Sequence, residues 1–288
     1  MKTFYLNNFT NSKDFPFFIQ YGHHEEDLFV HTHADFNELT IVLSGTATHI
    51  VNNEKYTIKK GDMFVVGDQI THGYENPNDF KICNVMYRLN NLLQSDIDIT
   101  KSAGFHALFV IEPYLNRDSK YKNKLQLSPT RFELVNTMIA DMINEFCVRQ
   151  EGWKTSLYAN FLNLVVQLSR AYNINTESED VILNLALPIA YISNHFMEPI
   201  SMEELAKMAH MSVRHFSRIF RNVYNLSPNH YIIQYRLQHA SNLLKNSDLT
   251  ISDVSSQCGF NDSTYFTRQF KRFTGFTPRH YRKFSYTN

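Results

Sequence analysis

The sequence predicts a two-domain protein of mixed α and β class: an N-terminal β-barrel with a helical hairpin, then an all-α domain with two helix-turn-helix units. Short alternating or aromatic stretches broken by turn residues occupy Phe17 to about Leu89, and two apolar stripes of helical period follow as far as Ala171. Beyond a polar stretch, everything reads as helix and turn. The 288 residues suffice for two cores, and the 43% hydrophobic and 14% aromatic content is that of a folded chain.

The strand-like stretches are Phe36 to Leu43, Thr46 to Val51, Lys55 to Ile58 and Met63 to Val66. Ser44-Gly45, Asn52-Asn53, Lys60-Gly61-Asp62 and Asn76-Pro77-Asn78 are expected as turns between and after them, the pattern of an all-β barrel or sandwich. Residues 90–127 read as a mixture of loop, strand and short helix. Ser128-Pro129 starts a helix whose stripe is Phe132, Val135, Ile139, Met142 and Phe146; a second follows Gly152 with Leu157, Phe161, Leu164, Leu168 and Ala171. The pair has two readings: a cover for the open face of the β domain, or a subunit seam of a homodimer. The expected organisation is a strand-rich domain at 1–127, a helical hairpin and dimerisation element at 128–172, a linker at 173–180, and a helical domain at 181–288.

The net charge of zero hides an asymmetry. From residue 181 onward there are 12 Lys and Arg against 6 Asp and Glu, and before it 16 against 22. A basic C-terminal half is expected where one module faces a polyanion. The three cysteines, Cys83, Cys147 and Cys258, are far apart and form no C-x-x-C pair. That spacing speaks for a reducing compartment and against a disulfide framework or zinc finger. With no apolar leader after Met1 and no apolar run of about 18 residues, the expectation is a cytoplasmic protein without a membrane partner.

In the C-terminal half, Ser201 with Glu204 reads as a capping box opening a short helix, and Ser212 caps a second helix reaching about Val223. On that helix Phe216, Ile219, Phe220 and Val223 share one face while Arg214, Ser217, Arg218 and Arg221 share the other. Three guanidiniums and a hydroxyl on a face without acids suit phosphate oxygens and guanine edges, so the partner is a double-stranded DNA operator. The arrangement recurs. Ile251 to Cys258, the turn Gly259-Phe260 and the helix from Ser263 to Phe273 repeat it, with Phe266, Phe270 and Phe273 inward and Thr264, Arg268, Lys271 and Arg272 outward. A helix from Asn229 to Leu244 joins the units as a strut of about 24 Å.

The segment Ile251-x-x-Val254, then Gly259-Phe260-Asn261-Asp262-Ser263-Thr264-Tyr265-Phe266-Thr267-Arg268-x-Phe270-Lys271-Arg272-x-x-Gly275-x-Thr277-Pro278-x-x-Tyr281-Arg282, closely resembles the signature of the AraC/XylS family of bacterial transcription regulators. Leu205-Ala206, Ser212, Phe216, Phe220, Ser227-Pro228, Tyr231, Arg236, Ala240 and Leu243-Leu244 also fit. Two departures are Asn225 where the family has Gly, and Ser255 where it has Ala. Asn tolerates the left-handed conformation that Gly supplies. The resemblance implies base readers among Arg214, Ser217, Arg218, Ser263, Thr264 and Arg268, with Arg221, Lys271 and Arg272 on phosphates. The aromatics of these helices are expected to pack rather than stack on bases.

The N-terminal half contains His31-x-His33-x-x-x-x-Glu38-x-x-x-x-x-x-Gly45, then Gly61-Asp62 and His72-x-x-x-Asn76, which resembles the two cupin motifs, except that Gly67 and Gln69 stand where Pro and Gly are usual. That implies a cupin-like effector domain with His31, His33, Glu38 and His72 converging inside it. Imidazoles and a carboxylate match a divalent metal such as Zn, Mn, Ni or Fe, or they hydrogen-bond a small-molecule effector directly. Phe36 and Tyr74 are candidates for the apolar wall of the effector site, and either also suits core packing. The resemblance favours a sugar effector. The leading expectation is therefore a ligand-responsive activator of a carbohydrate-utilisation operon that works with RNA polymerase, not an enzyme and with no required cofactor. The alternative is a cupin metalloenzyme, an isomerase or dioxygenase, with a DNA-binding tail.

Overall fold

Eight strands make up the sheet: β1 (Lys2–Phe4), β2 (Phe17–His24), β3 (Leu28–His33), β4 (Asn37–Val51), β5 (Glu54–Lys59), β6 (Asp62–Val66), β7 (Thr71–Tyr87) and β8 (Leu125–Gln126). The computed structural model describes residues 2–10, 15–88, 97–115, 124–172 and 181–285, so the expected linker at 173–180 lies outside the described residues. The chain forms two units, Met1–Ala186 and Leu187–Asn288.

β4 and β7 dominate the first unit, running antiparallel from Asn37 opposite Tyr87 to Val51 opposite His72. Two of the expected turns, Ser44-Gly45 and Asn76-Pro77-Asn78, are not turns but facing bends within these strands. The register shifts between Val42 and Thr48, Gly45 sits at φ +70, and a Cβ on it would lie 2.2 Å from the carbonyl oxygens of Asn78 and Asp79. Asn76 and Asp79 also have positive φ. Such bulges bend a strand without ending its ladder, which turn chemistry read from sequence does not distinguish from a chain reversal. Asn52 and Asn53, both at positive φ, do form the tight hairpin into β5.

The strand path is β1-β3-β7-β4-β6-β8, with β2 also on β7 and β5 also on β4. Among the described residues it ends at β1 and β8, so this cupin-like sheet is not closed there into the barrel that was expected. Alternation along the strands builds two cores. Leu39, Ile41, Met63, Val65 and Val85 point to one face, and Val42, Phe64, Val66, Tyr74, Phe80 and Ile82 to the other. β6 is consequently buried at every position.

The first face is covered by α1 (Pro129–Val148) and α2 (Trp153–Ala171), α1 starting where the Ser128 hydroxyl accepts the N–H of Arg131. Phe132, Val135, Ile139, Met142, Leu157, Phe161, Leu164 and Leu168 all join the core of that face. Both stripes are therefore packed within the protomer. Leu164 and Leu168 are fully buried, so these side chains are not available to a subunit seam. The described part of residues 90–127 is mainly helical, from Asp98 to Leu115, with a π-helical stretch at His106–Ile111.

The remaining helices are α3 (Val181–His195), α4 (Met202–Met208), α5 (Val213–Tyr224), α6 (Pro228–Asn246), α7 (Ile251–Gln257), α8 (Ser263–Thr274) and α9 (Pro278–Ser285). Ser201 caps α4 by accepting the N–H of Glu204 at 3.3 Å while its hydroxyl donates to Glu203 at 2.8 Å, so of the expected capping box only the bond to the Ser201 side chain is seen among the described residues. A full capping box forms instead between Thr250 and Asp253 at α7. The strut α6 has 19 residues, longer than read, and spans about 28 Å. Phe273, expected inward, lies in the last turn of α8 and is 41% exposed.

Candidate functional site

The two helix-turn-helix units are copies of one another. Leu205, Ala206 and Ala209 of the first correspond to Val254, Ser255 and Cys258 of the second, and the turn bonds repeat: Met211 N–H to Ala206 at 2.9 Å, Phe260 N–H to Ser255 at 3.0 Å. Each turn passes through a left-handed residue, His210 at φ +52 and Gly259 at φ +78. Asn261 is one extra residue in the second unit. After it Ser212 corresponds to Asp262, Phe216 to Phe266, Arg218 to Arg268, Phe220 to Phe270 and Asn225 to Gly275. Asn225 takes φ +54 at the end of α5, and Gly275 takes φ +83 at the end of α8.

The inner faces are as the helical period requires: Phe216, Phe220, Phe266 and Phe270 are fully buried. On the outer faces Arg214, Arg218 and Arg221 of α5, and Ser263, Thr264, Arg268, Lys271 and Arg272 of α8, are all exposed, while Ser217 is half-buried. The caps differ in charge. Asp262 accepts the N–H groups of Thr264 at 2.6 Å and Tyr265 at 3.0 Å, and these bonds hold its carboxyl below the usual range. Ser212, in contrast, is neutral and accepts the N–H of His215 at 3.3 Å.

Arg236 on α6 is not part of either basic face. Its guanidinium donates to three backbone carbonyls, Phe196 at 2.6 Å, Gly259 at 2.7 Å and Glu198 at 2.8 Å, tying the strut to the segment after α3 and to the second turn.

In the first unit, His31 and His33 end β3, Glu38 is near the start of β4 and His72 near the start of β7, with His31 paired opposite His72. The nitrogen donors of His31, His33 and His72 lie within 4.8 Å of one another. Nε2 of His33 is 3.2 Å from Nε2 of His72, and each is 3.9 Å from a Glu38 oxygen. The structure thus brings all four residues together, buried at 0–6% exposure. Burial drives their protonation: it lowers His33 to about 3 and His72 well below the ordinary imidazole value, and raises Glu38 to about 7.

Sequence reasoning missed His49. It is fully buried on β4, its Nε2 is 3.4 Å from Nδ1 of His72, and its Nδ1 is 2.8 Å from the Tyr56 hydroxyl. Burial lowers it to about 3. It lies outside the matched motifs, and only the pairing of His49 with Tyr74 across β4 and β7 brings it to the cluster.

Two family models match the chain: a helix-turn-helix domain at residues 205–283 and a cupin domain at residues 17–86. The chain is similar to the HTH-type transcriptional activator RhaS of Enterobacter sp. (strain 638), 29% identical over 87% of this chain and 86% of the relative. The RhaS of Citrobacter koseri is also 29% identical, over 90% of this chain and 89% of that one. The chain belongs to the AraC/XylS family. Among solved structures, the DNA-binding domain of AdpA in complex with a target DNA is 33% identical over 36% of this chain and 94% of that chain, at a TM-score of 0.35. As an AraC-type protein the chain is a DNA-binding transcription regulator and not an enzyme.

Within this AraC-type frame, two of the effector-site candidates are packing residues in the structure. Phe36 is 2% exposed, packs with Leu6 and Met86 and stacks on the His33 ring at 4.4 Å. Tyr74 is part of the second sheet core. The chemistry of the donor set fits a divalent cation, since three neutral imidazoles and a carboxylate are borderline nitrogen and oxygen ligands. Nδ1 of His31 is held by the Phe29 carbonyl at 3.1 Å and Nδ1 of His72 by His49, the orienting bonds that ligating histidines use. Among the described residues, Nδ1 of His33 has no such partner. No helix is long and apolar enough to cross a membrane among the described residues.

Proposed function

We propose that the protein is a ligand-responsive activator of a carbohydrate-utilisation operon, acting as a cytoplasmic homodimer that contacts RNA polymerase. It reads double-stranded operator DNA with α5 and α8. The observation that carries the DNA reading is the recurrence of one exposed basic face on two copied helices, with Arg218 and Arg268 at corresponding positions. Arg214, Ser217, Arg218, Ser263, Thr264 and Arg268 contact base edges; Arg221, Lys271 and Arg272 hold phosphates. The strut of about 28 Å is of the order of the roughly 34 Å between successive major grooves on one face of DNA. That the sign of regulation is activation is supported by the RhaS relatives, which are named as activators.

The effector acts at the cluster of the first unit. His31, His33, His72 and Glu38 would hold a divalent metal there, and its chemistry would be to present open coordination positions to hydroxyl groups of a sugar. His49 and Tyr56 orient His72 from behind. Direct hydrogen bonding of the effector by the same residues is the second reading, and the unpartnered Nδ1 of His33 favours it. A reporter fused to operators selected from random duplexes, challenged with a monosaccharide panel, tests the proposal. Induction by one sugar, abolished by His33→Ala while operator binding persists, is the expected result. A chain that binds its operator but responds to none of the panel would refute the carbohydrate reading.

A further inference from the structure

The C-terminal unit holds a cavity of about 570 Å³ that the outer faces of α5 and α8 do not explain. Met197 and Pro199, after α3, form one side; α7 and the turn into α8 form the other. Its polar wall is Arg236, Ser252, Ser255, Ser256, Asn261 and Ser263, and no lining residue is acidic. The acids adjacent in sequence are engaged in helix caps, Asp253 with Thr250 and Asp262 with the N–H groups of Thr264 and Tyr265. A guanidinium, four hydroxyls and an amide without a counter-carboxylate are donors for an oxyanion.

Ser255 is the most informative of them. It is 2% exposed, and its hydroxyl has no hydrogen-bond partner. Other buried serines of this unit satisfy themselves on the carbonyl four residues back, Ser193 on Ile189 at 3.0 Å and Ser241 on Leu237 at 2.9 Å. The corresponding residue of the first unit is Ala206, equally buried, so packing at this place requires no hydroxyl. A buried donor without an acceptor is a cost that a bound acceptor removes. Arg236 is poised similarly: its three carbonyl bonds use Nε and one N–H on each Nη, leaving a second N–H on each. Gly259 keeps the wall close, since a Cβ there would lie 2.5 Å from the Met197 carbonyl oxygen and 3.1 Å from Cζ of Arg236.

We propose that this cavity binds a phosphate group through the Ser255 hydroxyl and the free N–H groups of Arg236. The phosphate comes either from the DNA backbone, because Ser263 lies in both the cavity wall and the α8 face, or from solution. The first source rests on the DNA reading above; the second does not.

The test uses the full chain and its Ser255→Ala variant, a change the first unit already carries at Ala206. Equilibrium dialysis with labelled inorganic phosphate is run alongside duplex binding by fluorescence anisotropy in phosphate-free buffer. Without phosphate the variant should be at least as thermally stable as wild type, and it should bind phosphate about tenfold more weakly, the effect of losing one hydrogen bond to a charged group. If the phosphate is DNA's, operator duplex displaces the label and the variant loses the same factor on operator and non-specific duplex. If it comes from solution, the label stays on the DNA-bound protein and duplex affinity is unchanged by the substitution. A variant that matches wild type in both phosphate and duplex binding overturns the proposal, whether or not wild type takes up phosphate. A chain that binds no duplex but loses phosphate with Ser255→Ala refutes the DNA reading and leaves the site standing.

Discussion

The two units use their polar side chains in opposite ways. The first hides His31, His33, Glu38, His49 and His72 from water at 0–6% exposure, so they are partnered from within the protein, by one another, by the Phe29 carbonyl and by the Tyr56 hydroxyl. The second displays Arg214, Arg218, Arg221, Arg268, Lys271 and Arg272 on exposed helix faces that suit a polyanion, Arg268 lying also over the Tyr265 ring. A buried polar cluster is coupled to stability, because deleting one member strands the rest; an exposed face is coupled to binding alone. Arg236 is the exception in the second unit, a cation engaged in holding the backbone.

Arg236→Ala tests that exception and carries the largest expected effect. Three carbonyls lose their donor together, and the C-terminal unit should lose about 3 kcal/mol or more, read as a lowered transition in thermal or urea unfolding. Next is His72→Ala, which leaves His33 and His49 without their shared partner and opens a cavity, for about 2 to 4 kcal/mol in the first unit. If either variant unfolds like wild type, the assignment of these residues to structure is wrong.

The difference between the units also explains how legible each was in the sequence. A helix face repeats every 3.6 residues, so the positions of Arg214, Arg218 and Arg221 relative to Phe216 and Phe220 follow from counting, and the structure places them on opposite sides. The strand domain depends on which strands pair. The motif spacing pointed to His31, His33, Glu38 and His72, but His49 enters only because Tyr74 pairs opposite it across two long strands. The sequence divides β4 into two short stretches at Ser44-Gly45 and sets a turn at Asn76-Pro77-Asn78 within β7, since Gly45 and Asn76 look the same in a bulge as in a turn. The apolar stripes of α1 and α2 were clear as stripes, while the partner they meet was not, because a sheet and a second subunit ask for the same pattern.

Arg218→Ala and Arg268→Ala should each weaken operator binding by about 1 to 3 kcal/mol while shifting stability by no more than about 0.5 kcal/mol. Their correspondence in the two units predicts losses at two separate half-sites in footprints. Equal footprints for wild type and both variants would remove the assigned faces.

For the buried cluster the pH response has a definite sign. Glu38 is raised in the folded state to about 7 from 4.5, so its contribution is fully present below about 4.5 and is lost as pH rises to about 7. His33 and His49 are lowered to about 3 from 6.5; their contribution is present above 6.5 and is lost as pH falls towards 3. The two ranges overlap between 4.5 and 6.5, where two histidines outweigh one carboxyl, so the metal-free first unit should be most stable near pH 6.5, lose stability steadily as pH falls and lose a smaller amount as pH rises to about 7. The neutral imidazoles are already available to a metal at pH 5. Competition by protons near pH 7 then comes from Glu38, not from the histidines. Metal titration of Glu38→Gln at pH 6 and 8 checks this: affinity that falls with pH in wild type and is flat in the variant is expected, and an equal fall in both would return the proton to an imidazole.

The smallest effect separates the two helix-turn-helix units themselves. Asn225 ends α5 at φ +54 where Gly275 ends α8 at φ +83, and nothing lies within 4 Å of a Cβ built on Gly275. The two sites therefore differ in intrinsic backbone preference, with no steric contact to confuse the comparison at Gly275. Asn is among the residues that tolerate the left-handed region, so its penalty relative to Gly is below the 1 to 2 kcal/mol that applies to most side chains. Gly275→Asn should cost about 0.5 kcal/mol, and Asn225→Gly should return a few tenths. Gly275→Ala, which cannot hydrogen-bond its own backbone in that conformation, should cost about 1 kcal/mol. The three variants measured by urea unfolding give the order Asn225→Gly, wild type, Gly275→Asn, Gly275→Ala from most to least stable. If Gly275→Asn instead proved as costly as Gly275→Ala, the tolerance of Asn at the end of α5 would have to come from contacts particular to the first unit rather than from the backbone.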